Sequence, residues 1–331
     1  MFSSVVVLLI IITIALWITR LAPSNPCLKE REANTCACVK EHNLDRPVFP
    51  VYTDIPIDPV EGCNMWEPES EVTVGPVHVL TSEWGKTQYL DYLSNLVKLD
   101  LGRSMKTDRE VGATLWASLG YTAQLGLQAL LIALIIGVPA GLYAGLKQNT
   151  PADYTTMTLA MVGVSIPNFV LGPILILIFA LNLEWFEPNG WEAWKDSVLP
   201  SVTLGLFYAA YIARLTRGGM LEIIRKDFIR TARAKGLSEG TVVSRHALRG
   251  AILPVVSYLG PAFARLLTGS VVVEEIFSLP GVGTHFVRSA LNRDYNMVLG
   301  TVILYSTILI TLNVVVDILY TVIDPRVDYD E

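Results

Sequence analysis

The chain has 331 residues, of which 52% are hydrophobic and only 17% charged, with a formal net charge of −6. An ordinary soluble domain carries about 25% charged residues. Mean hydropathy is +0.45, and these values exclude a disordered chain, a disulfide miniprotein and a basic nucleic-acid-binding domain. The apolar residues fall in uninterrupted runs near the roughly 20 residues that a helix needs to cross a ~30 Å hydrocarbon core. That distribution, rather than composition alone, predicts an all-α polytopic membrane protein.

In chain order the runs predict six transmembrane helices, at about 3–20, 116–146, 156–183, 199–216, 252–275 and 298–323. Lipid leaves no water to satisfy backbone groups, so each span is read as a helix. Pro167 and Pro173 lie inside the third span, where neighbouring helices are expected to cover the freed carbonyls. The fourth span is the weakest. The first lacks a basic n-region and a small-x-small cleavage site, so it reads as an uncleaved anchor rather than a signal peptide.

The loops set the orientation. Residues 217–250 hold eight Lys/Arg (Arg217, Arg225, Lys226, Arg230, Arg233, Lys235, Arg245, Arg249) against three acids, a net +5. Residues 184–198 carry a net −3 and residues 21–115 a net −6. Short basic loops stay cytoplasmic. Residues 217–250 and both termini are therefore placed inside, and 21–115 outside. The expected domains are 1–20, a first transmembrane helix; 21–115, an extracytoplasmic segment; and 116–331, a five-helix core with the cytoplasmic loop 217–250.

Within 21–115, the Pro- and acid-rich stretch 47–76 reads as an ordered but irregular loop. Tyr89, Leu90, Tyr92, Leu93, Leu96, Val97 and Leu99 repeat with helical spacing over 89–99. Two placements fit that stripe equally: an amphipathic helix at the outer interface, or a small helix packed under the loop. All four cysteines lie in this segment: Cys27, Cys36, Cys38 and Cys63. An oxidising outer compartment favours disulfides. A Cys36–Cys38 bridge would close a very small ring, which leaves 27–36 with 38–63, or 27–38 with 36–63. A metal site is the competing reading, but C-x-C is not a usual zinc spacing and His42 and His78 show no ligand-like pattern.

The 217–250 loop reads as two helices with a break. Residues 219–235 place Met220, Ile223, Ile224, Phe228 and Ile229 on one apolar face, and Gly236 ends that helix. Ser238 is the expected N-cap of a shorter second helix, with Glu239 in its first turn. The small residues Ala232, Ala234 and Gly236 allow close approach of another protein. A solvated basic loop that merely sets topology reads equally well from these residues alone.

The run DFIRTARAKGLSEGTVVSRHALRGAILPV resembles the signature loop of binding-protein-dependent ABC importer permeases, and more narrowly the B-type subunit of the oligopeptide/dipeptide/nickel permease family. Four other stretches agree: LAPSNP after the first span, YLDYLSNLVKLDLGRSMKTDREV before the second, SYLGPAFARLLTGSVVVEEIFSLPGVG across the fifth, and ALNRDYNMVLGTVILYSTILITLNVVVDILYTVIDPRVDY across the sixth. The resemblance covers the whole chain except about 27–43 and 50–87. The broader importer signature begins Glu-Ala-Ala, with Gly after three more residues. Here those positions read Arg230, Thr231, Ala232 and Gly236, a departure shared by the peptide-permease branch. Its later Ile-x-Leu-Pro element also does not fit, because His246 to Arg249 stand there and Leu253-Pro254 come further on.

The resemblance implies the type I ABC importer fold and an inner-membrane permease subunit that imports short peptides. Nickel or another small solute is the close alternative, and a stand-alone channel or secondary carrier the alternative from another class; the latter would show an inverted repeat, which we do not find. The implied partners are a homologous second permease subunit, two ATPase subunits, an extracytoplasmic substrate-binding protein and membrane lipid, with no nucleic acid. No Walker A motif occurs, so the chain is expected to be no enzyme by itself. It would need no cofactor of its own, with ATP and Mg bound by the partner ATPases and no metal here. Residues Arg230, Thr231, Ala232, Arg233, Ala234, Lys235, Gly236 and Leu237 would form the region coupled to an ATPase. Their movement would rock the bundle between inward and outward openings.

An ionised group at mid-bilayer costs at least ~2.5–3.5 kcal/mol on insertion scales. Arg265 in span five and Asp317 in span six should therefore face protein or water. Arg265 either lines the path and meets a peptide terminus or contacts the partner permease. Asn168, Glu274 and Glu275 are further path or gate candidates; Asn168 reads more readily as an interhelical hydrogen bond, and the two glutamates either support the outer gate or pair with Arg288 or Arg293. Pro280, Gly281 and Gly283 open an outer loop, 278–296, expected to face the binding protein.

Overall fold

The computed structural model describes residues 7, 9–15, 51–53, 71–74, 77–80 and 88–323. The chain divides into two compact units, Met1–Ala117 with His285–Thr307, and Ser118–Thr284 with Ile308–Glu331.

In the first unit, residues 9–15 are helical. Three short strands, β1 (Val51–Thr53), β2 (Glu71–Val74) and β3 (Val77–Leu80), form an antiparallel sheet in the order β1-β3-β2. Val74 pairs with Val77 across a two-residue connection, and Val51 pairs with Val79. The irregular loop expected over 47–76 is thus corrected at both ends. Its Val and Thr residues suit the pleated surface of a strand, a preference that the Pro-rich spacing masks.

The next helix, α1 (Gln88–Val97), forms where the apolar stripe predicts one. Tyr92 and Leu96 pack on a cluster of Ile12, Leu299 and Ile303. Val97 and Leu99 are exposed, and Leu99, with φ +61°, turns the chain out of the helix. The loop that follows is pinned to the start of the last helix. Asp294 is buried and accepts from the Ser104 hydroxyl, from the Met105 N–H at 3.1 Å and from the Met297 N–H at 3.3 Å. The last of these caps the helix N-terminus. Two stretches that carry the resemblance, around Ser104 and around Asp294, therefore meet in space.

The remaining helices lie in the second unit, except where residues 111–117 and 285–307 belong to the first. They are α2 (Val111–Leu146), α3 (Pro151–Ser165), α4 (Asn168–Leu175, continued by wide π-turns over Ile176–Asn182) and α5 (Val198–Ile223). After α5 come α6 (Asp227–Ala234), α7 (Glu239–Thr241), π-turns over Val242–Ala247 and α8 (Leu248–Ala251). The chain ends with α9 (Leu253–Gly269), α10 (Val271–Ile276), α11 (Val282–Asn292) and α12 (Tyr295–Ile323). Among the described residues three helices are long and apolar enough to cross a membrane: Val111–Leu146, Val198–Ile223 and Tyr295–Val316. Two bent pairs raise that number to five, α3 with α4 at 102° and Glu239–Ala251 with Leu253–Thr268 at 49°.

The third predicted span is therefore broken. Pro167 forces its predecessor out of the helical region, and Ile166 is extended at φ −85°, ψ 117°. The fourth span runs seven residues past its expected end at 216, to Ile223. The expected loop 278–296 is helical over Val282–Asn292. Most of the first span, all four cysteines and the side chain of Asp317 lie outside the described residues.

One stripe brings α2 and α5 together. Ala129, Ala133, Gly137, Gly141 and Gly145 recur every fourth residue on α2. A methyl at Gly141 would overlap the Ala213 carbonyl and come within 2.7 Å of Thr216 Cβ. One at Gly137 would come within 2.6 Å of the Ala209 carbonyl oxygen, and α5 answers with Gly205, set against Ala129. Without a hydrophobic drive between helices in lipid, such small-residue contacts are what lets backbones approach and associate. Leu125, Leu204, Ile212, Val255, Leu266 and Phe277 complete the core around them.

Candidate functional site

The basic segment folds against the end of α5. Ile223 and Ile224 close that helix, Lys226 is extended, and α6 starts at Asp227. The single helix expected over 219–235 is thus two. Met220, Ile229, Ala232, Val242, Ala247 and Ala251 share one buried cluster, joined by Ile223 and Ile224. Phe228, expected on that face, is instead 49% exposed, because the break rotates α6 relative to α5. Gly219 backs directly onto the Ala251 carbonyl, and Gly250 onto Ile223.

Gly236, at φ +77°, ends this helix as predicted. Ser238 holds the N-cap position of α7, with its hydroxyl 2.9 Å from that of Thr241. Arg233 reaches across the turn to Glu239 at 2.8 Å, and Arg230 lies 3.6 Å from Asp227. Arg230, Thr231, Arg233, Ala234, Lys235, Gly236 and Leu237 are all exposed, and only Ala232 is buried. The eight predicted residues thus form an exposed, basic surface with one apolar peg, Ala232, holding it to the core.

Deeper in the unit, Asn168 and Tyr208 line the same cleft of about 210 Å³, at the Ile166–Pro167 break. The Asn168 side-chain oxygen is buried, with no hydrogen-bond partner among the described residues. Arg265 is exposed on this chain. Tyr258 stacks on Tyr211 with ring centroids 4.5 Å apart, and Arg214 lies over the Tyr211 ring at 5.1 Å. Sequence reasoning misses Arg214 and the three tyrosines. The signal is there, since Tyr208, Tyr211 and Arg214 stand at i, i+3 and i+6 on one helix.

Glu274 lies in α10. It is fully buried, and both oxygens are engaged by uncharged donors: the Ser270 hydroxyl at 2.5 Å and the Gly283 N–H at 2.7 Å. A methyl at Gly281 would overlap its carboxylate. Thr122 of α2 accepts from the Val282 N–H at 3.0 Å. The glutamate therefore fastens the start of α11 to α10, and the glycines exist to let it approach. Gly281 and Gly283 are buried, so of the three residues expected to face a partner only Pro280 is exposed. Glu275 is half-buried.

A further ion pair is invisible in the sequence. Arg217 donates through Nε to Asp153 Oδ1 at 2.6 Å and through Nη2 to Oδ2 at 2.7 Å. The Asn149 N–H adds a third donor at 3.0 Å, and Asp153 is 1% exposed. This fork ties the start of α3 to the far end of α5. By sequence alone Arg217 is one of eight topological charges. Among the described residues no group of three or more His, Cys, Asp or Glu is placed to hold a metal ion.

The family described as binding-protein-dependent transport system inner membrane component matches residues 137–329. The chain is 50% identical over 246 residues to the oligopeptide transport system permease protein OppB of Salmonella typhimurium, covering 73% of this chain and 80% of that protein. It is 43% identical over 241 residues to the dipeptide transport system permease protein DppB of Bacillus subtilis, covering 72% and 78%. Among solved structures, an amino acid ABC transporter crystallised with histidines is similar in fold, with a TM-score of 0.51, 18% identity, and coverage of 69% of this chain and 97% of that one.

Proposed function

The chain belongs to the family of binding-protein-dependent transport system inner membrane components, and from that premise we propose that it is a permease subunit of an ATP-driven importer of short peptides. The observation that carries the reading is the 50% identity to an oligopeptide permease over 246 residues. That stretch of similarity is long enough to take in both the basic segment and the membrane-spanning core.

On this reading the chain spans the inner membrane six times, the first helix over 3–20, with both termini and residues 217–250 in the cytoplasm. Residues 21–115 lie outside and meet the substrate-binding protein. The chain pairs with a homologous second permease to enclose the path. Arg230 to Leu237 enter a groove on one of two ATPase subunits, which bind ATP and Mg. The exposed basic surface and its buried peg, Ala232, fit such a contact. The charges orient it, and the peg carries a push into α5. Asn168 and Arg265 line the path, and Glu274 fixes the outer turn.

Purification of the tagged chain from its native membrane in mild detergent tests this. A second permease and P-loop ATPases should co-purify, and uptake of a labelled tripeptide in the reconstituted complex should require ATP. Recovery of the chain alone, carrying solute without ATP, would sink the proposal.

A further inference from the structure

Three tryptophans, Trp185, Trp191 and Trp194, crowd the short connection between the π-turns after α4 and the start of α5. Trp191 turns inward, packs on the core and meets the Tyr121 ring edge-on, with centroids 6.3 Å apart. Trp185 and Trp194 turn outward and are 61% and 74% exposed. The connection that presents them is tightly built. Asp196 is buried and accepts from the Glu192 N–H at 2.9 Å and the Ala193 N–H at 2.7 Å, and the Ser197 hydroxyl donates to the Trp194 carbonyl at 2.8 Å. The Gly190 N–H donates to the Phe277 carbonyl at 3.3 Å. Glu184, at φ +53°, folds the chain back. The Trp185 N–H thereby reaches the Phe179 carbonyl at 2.9 Å, and the two rings lie 5.8 Å apart.

Reach fixes the level at which the outward indoles sit. Trp185 lies beside Phe179, about one turn back from the end of the apolar run at Asn182. Trp194 is four residues before Val198, where α5 starts. An extended chain would cover at most ~14 Å over that stretch, and turn bonds from the Asp196 N–H to Ala193 and from the Val198 N–H to Lys195 shorten it. The headgroup layer on one side of a bilayer is roughly 5–8 Å thick. Because α5 is long and apolar enough to cross, both indoles stand close to that layer, where an amphipathic ring with one N–H donor is favoured. Charge narrows the occupant further. Glu184, Glu187 and Glu192 are exposed beside the indoles, against one exposed cation, Lys195. Such a surface repels an anionic headgroup and attracts an ammonium group, which an indole face attracts as well.

We propose that residues 183–197 form a docking surface for zwitterionic phospholipid headgroups, with Trp185 and Trp194 seated in the headgroup layer and the three carboxylates beside the lipid ammonium. The inference needs α5 to cross the membrane and is independent of what the chain transports.

The test is photo-crosslinking. Trp185→benzoylphenylalanine and Trp194→benzoylphenylalanine variants, each purified with the subunits that accompany the chain, are placed in vesicles of equimolar phosphatidylethanolamine and phosphatidylglycerol and illuminated. At both positions the mass of the chain should rise by that of one phospholipid. Phosphatidylethanolamine adducts should exceed phosphatidylglycerol adducts about fivefold, the scale set by one charge beside a headgroup layer. Adding Glu184→Gln, Glu187→Gln and Glu192→Gln together should bring that ratio back toward one. Adducts to another protein subunit in place of lipid, or no adduct at either position, overturn the docking surface. Equal labelling of the two lipids by the wild-type loop, or a preference that survives the triple glutamine variant, overturns it too. No outcome depends on transport, so each of these leaves the import reading standing.

Discussion

Removing either half of the Asp153–Arg217 fork should destabilise the chain far more than removing both. Asp153 is 1% exposed and accepts three donors, two of them from Arg217, at 2.6 and 2.7 Å. Two unit charges 4 Å apart attract by about 4 kcal/mol at an effective dielectric of 20. Most of that attraction offsets the cost of taking the charges out of water, so the pair as a whole contributes little. Asp153→Leu leaves a partly buried guanidinium without its counter-charge, and Arg217→Met leaves a buried carboxylate with one backbone donor. Each should cost about 3–5 kcal/mol. The double variant fills the site with apolar volume and should lie within about 1–2 kcal/mol of the wild type. Unfolding in mixed micelles with rising SDS, run as a double-mutant cycle, measures the coupling. Two single losses below about 1 kcal/mol, or a double loss equal to their sum, would refute the reasoning.

Three further outcomes follow from the packing and are read by the same unfolding measurement. Gly141→Ala should cost about 1–3 kcal/mol by forcing α2 from α5, whereas Gly120→Ala on the same helix, where nothing lies within 4 Å, should gain about 0.5–1 kcal/mol. Glu274→Ala should cost about 1–3 kcal/mol, since it leaves the buried Gly283 N–H and the Ser270 hydroxyl without their acceptor; a variant as stable as wild type would contradict the fastening role. Gly236→Val should cost about 1–2 kcal/mol for its left-handed backbone, with Gly236→Asn losing less, and equal losses for the two would point to side-chain contact instead.

Periodicity and charge make much of this architecture legible. The runs at 116–146 and 298–323 correspond to α2 and α12, and Gly236 and Ser238 mark a real boundary between α6 and α7. What fails to show is contact across distance. Nothing local distinguishes Arg217 from Arg249, because its partner lies 64 residues earlier. Glu274 reads as an outer charge until Gly281 and Gly283 are seen to pack on it. The proline at 167 is in plain view, yet a proline inside an apolar run fits a tolerated kink as readily as a 102° turn. Phe228 is misplaced for a similar reason: one helical period extends on paper across an interruption at Lys226 that carries neither glycine nor proline.

The basic segment leaves the core by two routes of unequal stiffness. Toward its N-terminal side it meets α5, an unbroken helix of 26 residues, roughly 39 Å of rod at 1.5 Å per residue. That rod is welded along α2 by the glycine stripe and tied to α3 by the Asp153 fork. Toward its C-terminal side it passes through the π-turns at Val242–Ala247 and a 49° bend before α9. From Ala232 the way into α5 is thus one continuous helix, whereas the way into α9 crosses the π-turns and the bend. Arg214 rides on the rod, and Arg265 lies beyond the joint.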